Sequence, residues 1–432
     1  MCLHSLPAEV QIQVFSYLEV PTLKAVRRVC RAFRDNAEPT LFQYVIAAAR
    51  YQPLGAFQKI SLFEPFQKHV REIVFDGSIY NAQFAMHEPS YHREAAARYT
   101  SLDRGFTYHK HDRWKRYAQL YKEQQEMQTD GILLHTFSRA LEWIPNVCCI
   151  TFSPFPRHLP SERKDTQELL PRGLRSSPPR GFTKASHPFR QLIAALYVSQ
   201  FAGIRKLRTE AIGTRPGVEF ALSIFDLDDQ EMEAAKYLFR HLESLELSMA
   251  IWVHDITAFN TIIDKFITLL HTSTDLRHLH LHPTRWKSRD EFYPPRFTRL
   301  GLQGTWAKLQ SFSLKELDAD SSEFSDLIKR HRSTLVSVTL CSCGLDEGFW
   351  ADIVDEVICD TEIEKFVLDC VHERHQPEPV SYPLSSSMFE CWKYEGQLEV
   401  TDEGDRYFAE RIQGKKSVYD SRNRRTEASN LD

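Results

Sequence analysis

Three alternating histidines are the clearest candidates for chemistry in this chain of 432 residues. The stretch LRHLHLHP spaces His278, His280 and His282 two residues apart. In a β-strand these side chains share one face, opposite Leu279 and Leu281. Imidazole is a common metal ligand, so a metal site is geometrically conceivable. We favour a plain solvated strand face over a polar, weakly pH-responsive recognition surface, and that recognition surface over a metal site.

Two cysteine pairs are the next candidates. Cys148 and Cys149 are adjacent, and Cys341 and Cys343 are separated by one residue in TLCSCGL. A zinc site usually needs a Cys-x-x-Cys pair, or one similarly spaced, plus two further ligands. No second Cys/His pair is placed to complete either site. The spacing therefore predicts buried structural thiols and no metal.

An acidic cluster, FDLDDQEMEA, contains Asp226, Asp228 and Asp229. Such a cluster is compatible with a cation site. Because it precedes an apolar run with helical spacing, we interpret it as the N-terminal cap of a helix, where carboxylates also complement the helix dipole.

Motifs of common enzyme classes are missing from the sequence. It has no Gly-rich phosphate loop, no His-Glu-x-x-His and no Gly-x-Ser-x-Gly. We therefore predict a protein that is not an enzyme and needs no cofactor.

Composition bounds the class of protein. The formal net charge of −4 predicts no general attraction to nucleic acid. The opening MCLHSLPAEV has neither a basic segment nor a long apolar one, and no run of about 18 apolar residues occurs, which predicts no signal peptide and no membrane span. Nine cysteines in such a chain predict reduced thiols in the cytoplasm, the nucleus or both.

The first 46 residues are expected to form an all-α module of three short helices. Pro7 suits the first position of a helix. Val10, Val14 and Leu18 form one apolar stripe on that helix, while Phe15 lies on another side. Three helices in about 40 residues rarely stabilise themselves. One apolar face should therefore pack internally, while the other meets a partner or the rest of the chain; an ordinary buried helical hairpin is the alternative.

The order LPAEVQIQVFSYL…VRRVCRAFRDNA…LF closely resembles the F-box motif over roughly Leu3 to Tyr44. The resemblance implies docking on the Skp adaptor of an SCF-type cullin–RING ubiquitin ligase. One departure is Leu41-Phe42, where many members have Leu-Trp. Carried onto this chain, the implied adaptor contacts are Leu6, Pro7, Val10, Val14, Phe15, Leu18, Val26, Val29 and Cys30.

A short pattern, apolar-x-x-apolar-x-apolar, recurs beyond His69 and predicts a buried strand at each occurrence. From Leu247 the spacings to the next unit are 34, 33, 26 and 28 residues, long enough for one helix and one strand. The occurrences are Val70/Ile73/Phe75, Val147/Ile150/Phe152, Leu242/Leu245/Leu247, Leu276/Leu279/Leu281, Leu309/Phe312/Leu314, Leu335/Val338/Leu340 and Ile363/Phe366/Leu368.

These units predict an irregular α/β solenoid resembling leucine-rich repeats over residues 60–395, behind the F-box at 1–46. A non-repeating α/β domain is the alternative, because the asparagine typical of the repeat is absent. The stretch Tyr117 to Phe152 is similar to fungal F-box proteins that carry divergent helix–strand repeats. A Pro/Arg-rich surface loop is predicted at 154–188 and a disordered tail at 412–432.

The resemblance and the repeats together predict a substrate-recognition subunit. Its F-box would bind the Skp adaptor, and through it the cullin and RING subunits, while the repeats hold an unidentified target protein. Target contacts are expected at the outward strand positions His278, His280, Ser313 and Thr339. Two alternatives stay open, namely a scaffold bound to the Skp adaptor without a ligase role, and a metal-dependent enzyme built on the histidines.

Overall fold

The computed structural model describes residues 3–77, 79–98, 110–153, 175–176, 188–209, 220–250, 256–284, 286–287, 292–293, 296–360, 363–373, 392–400 and 406–410. The chain divides into two units, Met1–His241 and Leu242–Asp432. Apart from 175–176 and 188, the predicted Pro/Arg-rich loop lies outside the described residues, and so does the predicted tail.

The first unit opens with three short helices. Pro7 immediately precedes the first of them, and Pro21 lies in the first turn of the second, where a missing N–H removes no helical hydrogen bond. The helices are α1 (Ala8–Ser16), α2 (Val20–Val26) and α3 (Arg31–Leu41), after a 3-10 helix at Leu3–Ser5. The predicted helical module is therefore present.

The rest of this unit combines helices and short strands. The helices are α4 (Tyr51–Leu62), α5 (Glu64–Gln67), α6 (Ala82–Met86), α7 (Glu88–Arg98), α8 (Lys110–Thr129), α9 (Ile132–Trp143), α10 (Pro188–Val198) and α11 (Asp229–Arg240), with a 3-10 helix at Leu222–Phe225. The strands are β1 (Tyr44–Ala48), β2 (Glu72–Asp76), β3 (Ile79–Tyr80), β4 (Cys149–Ser153), β5 (Arg175–Ser176), β6 (Lys206–Thr209) and β7 (Phe220–Ala221).

A parallel sheet organises this unit, with strands in the order β1-β2-β4-β6. One buried row of register partners runs through Val45, Ile73, Ile150 and Leu207. Helix α9 packs between α4 and α10 over the sheet. Its Phe137 stacks on Phe57 of α4, with ring centroids 4.8 Å apart.

The sequence pattern found two of these four strands. The units ending in Phe75 and Phe152 form β2 and β4, and their apolar members are buried. It missed β1 and β6, because Ala47 and Thr209 stand where the pattern has its last large apolar residue. The sheet accordingly begins at Tyr44, within the predicted module and ahead of the predicted 60–395 region.

The second unit contains a second run of parallel strands, in the order β8-β9-β12-β14-β16. Its strands are β8 (Ser244–Ala250), β9 (His278–Thr284), β10 (Trp286–Lys287), β11 (Phe292–Tyr293), β12 (Ser311–Lys315), β13 (Asp318–Ala319), β14 (Ser337–Cys341), β15 (Gly344–Leu345), β16 (Lys365–Glu373), β17 (Trp392–Val400) and β18 (Arg406–Glu410). Its helices are α12 (Ile256–Thr272), α13 (Ser321–His331) and α14 (Trp350–Asp360), with a 3-10 helix at Phe297–Leu300.

The predicted spacing of this second unit matches its register. Leu247, Leu281, Leu314, Leu340 and Leu368 are successive register partners across five parallel strands. Each is buried. The helix–strand alternation is therefore present as predicted, and its strands form a parallel sheet; β17 then pairs antiparallel with β16, and β18 with β17.

A repeated backbone kink follows two of these strands. Glu316, after β12, has φ of 59°, and Ser342, after β14, has φ of 52°. Such values favour glycine, yet both positions carry side chains. The chain then forms the short strands β13 and β15, which pair with each other. The two segments are therefore structural copies at the predicted 26-residue spacing. Among the described helices, none has the length and apolarity to cross a membrane.

Candidate interaction surfaces

The three N-terminal helices share a small core of their own. Phe15 and Ala37 have no exposed surface, and Leu23 and Phe33 are also buried. The Phe33 ring meets Phe15 edge-on, with centroids 5.5 Å apart. This core joins one residue from α1, one from α2 and two from α3, so the module has an interior despite its size.

Apolar side chains also lie on the outside of this module. Val10 and Val14, one turn apart on α1, are 39% and 37% exposed, and Val29 is 67% exposed. Leu3 and Tyr17 are exposed as well. Soluble proteins rarely leave such clusters uncovered unless another surface meets them.

The predicted contact residues divide between these two environments. Pro7 is exposed like the three valines, while Leu6, Leu18, Val26 and Cys30 are half-buried. Phe15 belongs wholly to the core. It was predicted as an adaptor contact, but in this structure its ring is turned inward because α2 and α3 close over that side of α1.

A buried amide, which the sequence pattern did not single out, ties the module together. The side-chain amide of Gln11 donates to the carbonyl of Leu6 at 2.7 Å, and its oxygen accepts from Asn36 at 2.9 Å. Gln11 is 4% exposed, so these bonds satisfy a polar group that would otherwise be costly to bury. They connect the start of α1 to α3.

Comparison with known protein families agrees with this geometry. Residues 3–46 match the F-box-like family. These residues form an F-box-like domain. The match supports an F-box protein, a class of generally non-catalytic adaptors that bind the Skp adaptor in ubiquitin ligases. No curated protein matches the chain.

The second unit carries the polar strand face on which target contacts are predicted. His280, Ser313 and Thr339 are register partners on β9, β12 and β14, in a row that begins at Glu246 of β8. His278 lies one row away, where its Nδ1 is 2.9 Å from the hydroxyl of Ser311. All four predicted residues are half-buried on the same face, so the fold brings three of them into one line and the fourth beside it.

A third row on this face contains His282. Its Nδ1 lies 3.3 Å from Ser248 Oγ, and its Nε2 lies 3.3 Å from Glu316 Oε1. Glu316, the residue with positive φ that follows β12, supplies this carboxylate. The Ser248 distance is at the long end for a hydrogen bond, whereas the Glu316 contact is an ion pair only when the imidazole is protonated. The two contacts connect β8, β9 and the residue after β12 in a polar patch.

The described residues contain no group of side chains arranged to bind a metal ion. Among the described residues, no three His, Cys, Asp or Glu side chains are grouped so that they could hold a metal ion.

The cysteines occupy different environments. Cys343 and Cys149 are buried, as predicted, and burial raises the pKa of the Cys149 thiol to about 11. Cys341 is half-buried, and burial together with Asp369 raises its pKa. Cys148, however, is exposed, so the prediction of a buried thiol is wrong there. It precedes β4, where the alternating pattern turns its side chain away from the core.

The sheet of the first unit carries a charged network that the sequence pattern did not predict. Arg208 donates to Thr151 Oγ1 at 2.7 Å and to Glu72 Oε1 at 2.8 Å, and Thr151 also donates to Glu72. The three residues come from β6, β4 and β2. No local pattern links positions so distant in the chain, so only the register of the sheet brings them together.

The acidic cluster behaves as a helix cap. Asp228 accepts from the backbone N–H of Glu231 at 2.8 Å, and the Glu231 carboxylate accepts from the backbone N–H of Asp228 at 2.8 Å. This reciprocal pair is a capping box at the start of α11. The backbone carbonyl of Asp226 accepts from Arg190. The predicted capping role is confirmed at Asp228.

Proposed function

We propose that this chain is a substrate-recognition subunit of an SCF-type cullin–RING ubiquitin ligase. Its F-box-like domain binds the Skp adaptor, and its helix–strand repeats, an irregular solenoid resembling leucine-rich repeats, hold a target protein. The chain itself makes and breaks no covalent bond. It contributes proximity, because tethering raises the local concentration of a target near the transferring enzyme.

The observation that carries the proposal is the exposed apolar surface of the F-box-like domain. Val10, Val14 and Val29 lie outside a core that is already complete with Phe15, Leu23 and Phe33. These valines are therefore available to a partner without unfolding the domain. Covering the exposed part of each would contribute on the order of 1 kcal/mol.

The polar strand face supports the target-binding half of the proposal. Glu246, His280, Ser313 and Thr339 present a carboxylate, an imidazole and two hydroxyls in one row of register partners. These groups offer donors and acceptors at regular spacing, about 4.8 Å from strand to strand. Hydrogen bonding to a protein segment is the use that fits them best.

The adaptor half is tested by co-expressing the full chain with the Skp adaptor. A triple variant, Val10→Ser, Val14→Ser and Val29→Ser, is compared with a matched control, Met86→Ser and Val336→Ser, at exposed positions elsewhere. We expect the triple variant to bind roughly a hundredfold more weakly, since three losses of about 1 kcal/mol correspond to two powers of ten. The control should bind like the parent chain.

Surface valines are preferable to Phe15 for this test because Phe15→Ala would disrupt the core. If the triple variant keeps its fold, as judged by circular dichroism and thermal unfolding, and still binds fully, this apolar surface is not the adaptor site. If the parent chain fails to bind, the proposed function is wrong.

The ligase role is separated from a scaffold role by a second measurement. Cullin and RING subunits that co-purify with the chain and adaptor support the ligase. An adaptor complex from which the cullin is excluded would favour the scaffold. Substituting His280, Ser313 and Thr339 together and finding unchanged binding of an identified target would contradict the assignment of the polar face.

A further inference from the structure

A second set of exposed apolar side chains lies in the first unit, outside the F-box-like domain. Outside the F-box-like domain, nine large apolar side chains are exposed among the described residues, and five of them lie at or immediately after the ends of α4, α9 and α10. They are Leu62, Phe63, Trp143, Tyr197 and Val198.

The topology brings these residues to one edge of the sheet. Each of the three helices ends shortly before a strand begins, namely β2, β4 and β6. The C-terminal ends of the helices therefore lie beside the N-terminal ends of the parallel strands. Helix α9 packs against α4 on one side and α10 on the other, so the apolar ends are neighbours. We call this surface the helix-end edge.

Cations line the strand side of the helix-end edge. The backbone N–H of Cys148 donates to the carbonyl of Arg71 at 2.9 Å, and the N–H of Arg205 donates to the carbonyl of Cys148 at 2.8 Å. Arg71, Cys148 and Arg205 therefore immediately precede the neighbouring strands β2, β4 and β6 at the same level, and all three are exposed. Lys68 is also exposed nearby, and its carbonyl accepts from Asn146 at 3.1 Å.

The charge of this edge is opposite in sign to that of the whole chain. Between the ends of α4, α9 and α10 and the strands β2, β4 and β6, the chain holds Lys68, Arg71 and Arg205, against the single carboxylate of Glu64. On the adjoining last helical turns, Lys59 and Glu142 offset each other. The chain as a whole carries a formal charge of −4. A local excess of cations beside exposed apolar side chains selects for an acidic partner that also carries apolar groups.

We propose that the helix-end edge binds an acidic, leucine-bearing segment of a partner protein. Neighbouring helices lie about 8–10 Å apart, so the edge spans about 20 Å, and about six extended residues cross it. Carboxylates of the segment face Arg71, Arg205 and Lys68, and its aliphatic groups cover Trp143 and Val198. This site uses none of the three exposed valines and does not depend on the proposed ligase role.

The test uses the full chain without adaptor and a fluorescein-labelled peptide of about twelve residues built from Glu-Glu-Leu repeats. Comparison peptides replace every Glu with Lys or every Leu with Ser. Fluorescence anisotropy should show the tightest binding for the Glu-Glu-Leu peptide. That affinity should fall as salt is raised, because exposed charge pairs are screened within about 10 Å at 0.1 M salt.

Variants locate the binding. Arg71→Glu with Arg205→Glu should weaken it at least about tenfold at low salt, while Arg93→Glu with Arg299→Glu, at exposed arginines elsewhere, should leave it unchanged. Trp143→Ser with Val198→Ser should weaken it about tenfold at high and low salt alike, because covering apolar surface is insensitive to screening. The matched apolar control is Met86→Ser.

Cys148 gives an independent readout at the site. Bound peptide should slow its alkylation by iodoacetamide, measured by mass spectrometry, while alkylation of Cys30 in the F-box-like domain stays the same. The valine triple variant should bind the peptide normally, so failure of the adaptor proposal leaves this test intact.

Several results would overturn the proposal: equal binding of the Lys-Lys-Leu peptide, undiminished binding by both edge variants, or unprotected Cys148. Phosphatidylserine vesicles are measured in parallel. Binding of vesicles but not of peptide, lost in the same variants, would assign the edge to an anionic lipid surface and reject the protein segment.

Discussion

Phe42 and Phe66 stack with ring centroids 3.7 Å apart and planes inclined by 18°. Phe42 follows the last helix of the F-box-like domain, and Phe66 belongs to α5. The guanidinium of Arg27 lies 5.2 Å from the Phe42 centroid and donates to Glu38 at 2.8 Å. The aromatic residue that stands at the end of the motif therefore joins the F-box-like domain to the rest of its unit.

Loss of this joint should loosen the F-box-like domain before the rest of the unit. We expect Phe66→Ala to lower the free energy of unfolding by about 2 kcal/mol, since it removes both apolar contact and a stacked ring pair. Hydrogen exchange should rise in α1–α3 and stay low in β2 and β4. Leu62→Ala, at an exposed neighbouring position, is the control. Equal exchange in both variants would show that the stack does not hold the domain.

A buried ion pair next to the sheet should be sensitive to removal of one partner. Arg50 donates to Asp76, whose side chain has no exposed surface. Asp76→Asn should lower the free energy of unfolding by about 3 kcal/mol, because it leaves a mostly buried guanidinium without its counter-charge. The double change Arg50→Met with Asp76→Leu should cost less than Asp76→Asn. Urea unfolding measures both, and a larger loss in the double variant would contradict the argument.

His331 should make the stability of the second unit depend on pH. Its Nε2 accepts from the backbone N–H of Trp306 at 2.9 Å, while its Nδ1 donates to the carbonyl of Leu327 at 2.8 Å, an arrangement that needs the neutral ring. Burial lowers the pKa of His331, the Leu327 hydrogen bond opposes this shift, and Arg330 adds to it.

The sign follows from the unfolded chain, where histidine has a pKa of about 6.5. As pH falls below that value, the unfolded chain takes up the proton before the native state does. The free energy of unfolding therefore decreases until the lower native pKa is reached. Unfolding measured from pH 8 to pH 5 should show a steeper loss for the parent chain than for His331→Gln. Parallel curves would assign the pH dependence to other groups.

Two adjacent thiols should react at very different rates. Cys148 is exposed, whereas Cys149 is buried with a pKa raised to about 11. At pH 8, iodoacetamide should modify Cys148 at least about tenfold faster, because both access and thiolate formation limit Cys149. Mass spectrometry of timed samples separates the two sites, and urea should remove the difference. Equal rates in the native chain would mean that β4 opens readily.

Local patterns predicted the strands with large apolar residues and failed where side chains were small. The sequence predicted the strands that contain Leu281, Leu314 and Leu340, because alternation over a few residues is a property of the strand itself. The pattern missed β1 and β6 because Ala47 and Thr209 are small. The burial of these two residues depends on the large neighbours beside them in the sheet. The predicted leucine spacing matched the register because each helix–strand unit brings the chain back to the same level of the sheet, one strand further along.

The sequence by itself determined the F-box-like motif, the alternation of helix and strand, and the capping role of Asp228, because each depends on residues close together in the chain. Only the tertiary structure decided that Phe15 is interior while Val10 and Val29 are outside, and that His280, Ser313 and Thr339 share one row. The same holds for the apolar and basic groups of the helix-end edge. Exposure and adjacency depend on which distant segments pack together, and that information is absent from any local pattern.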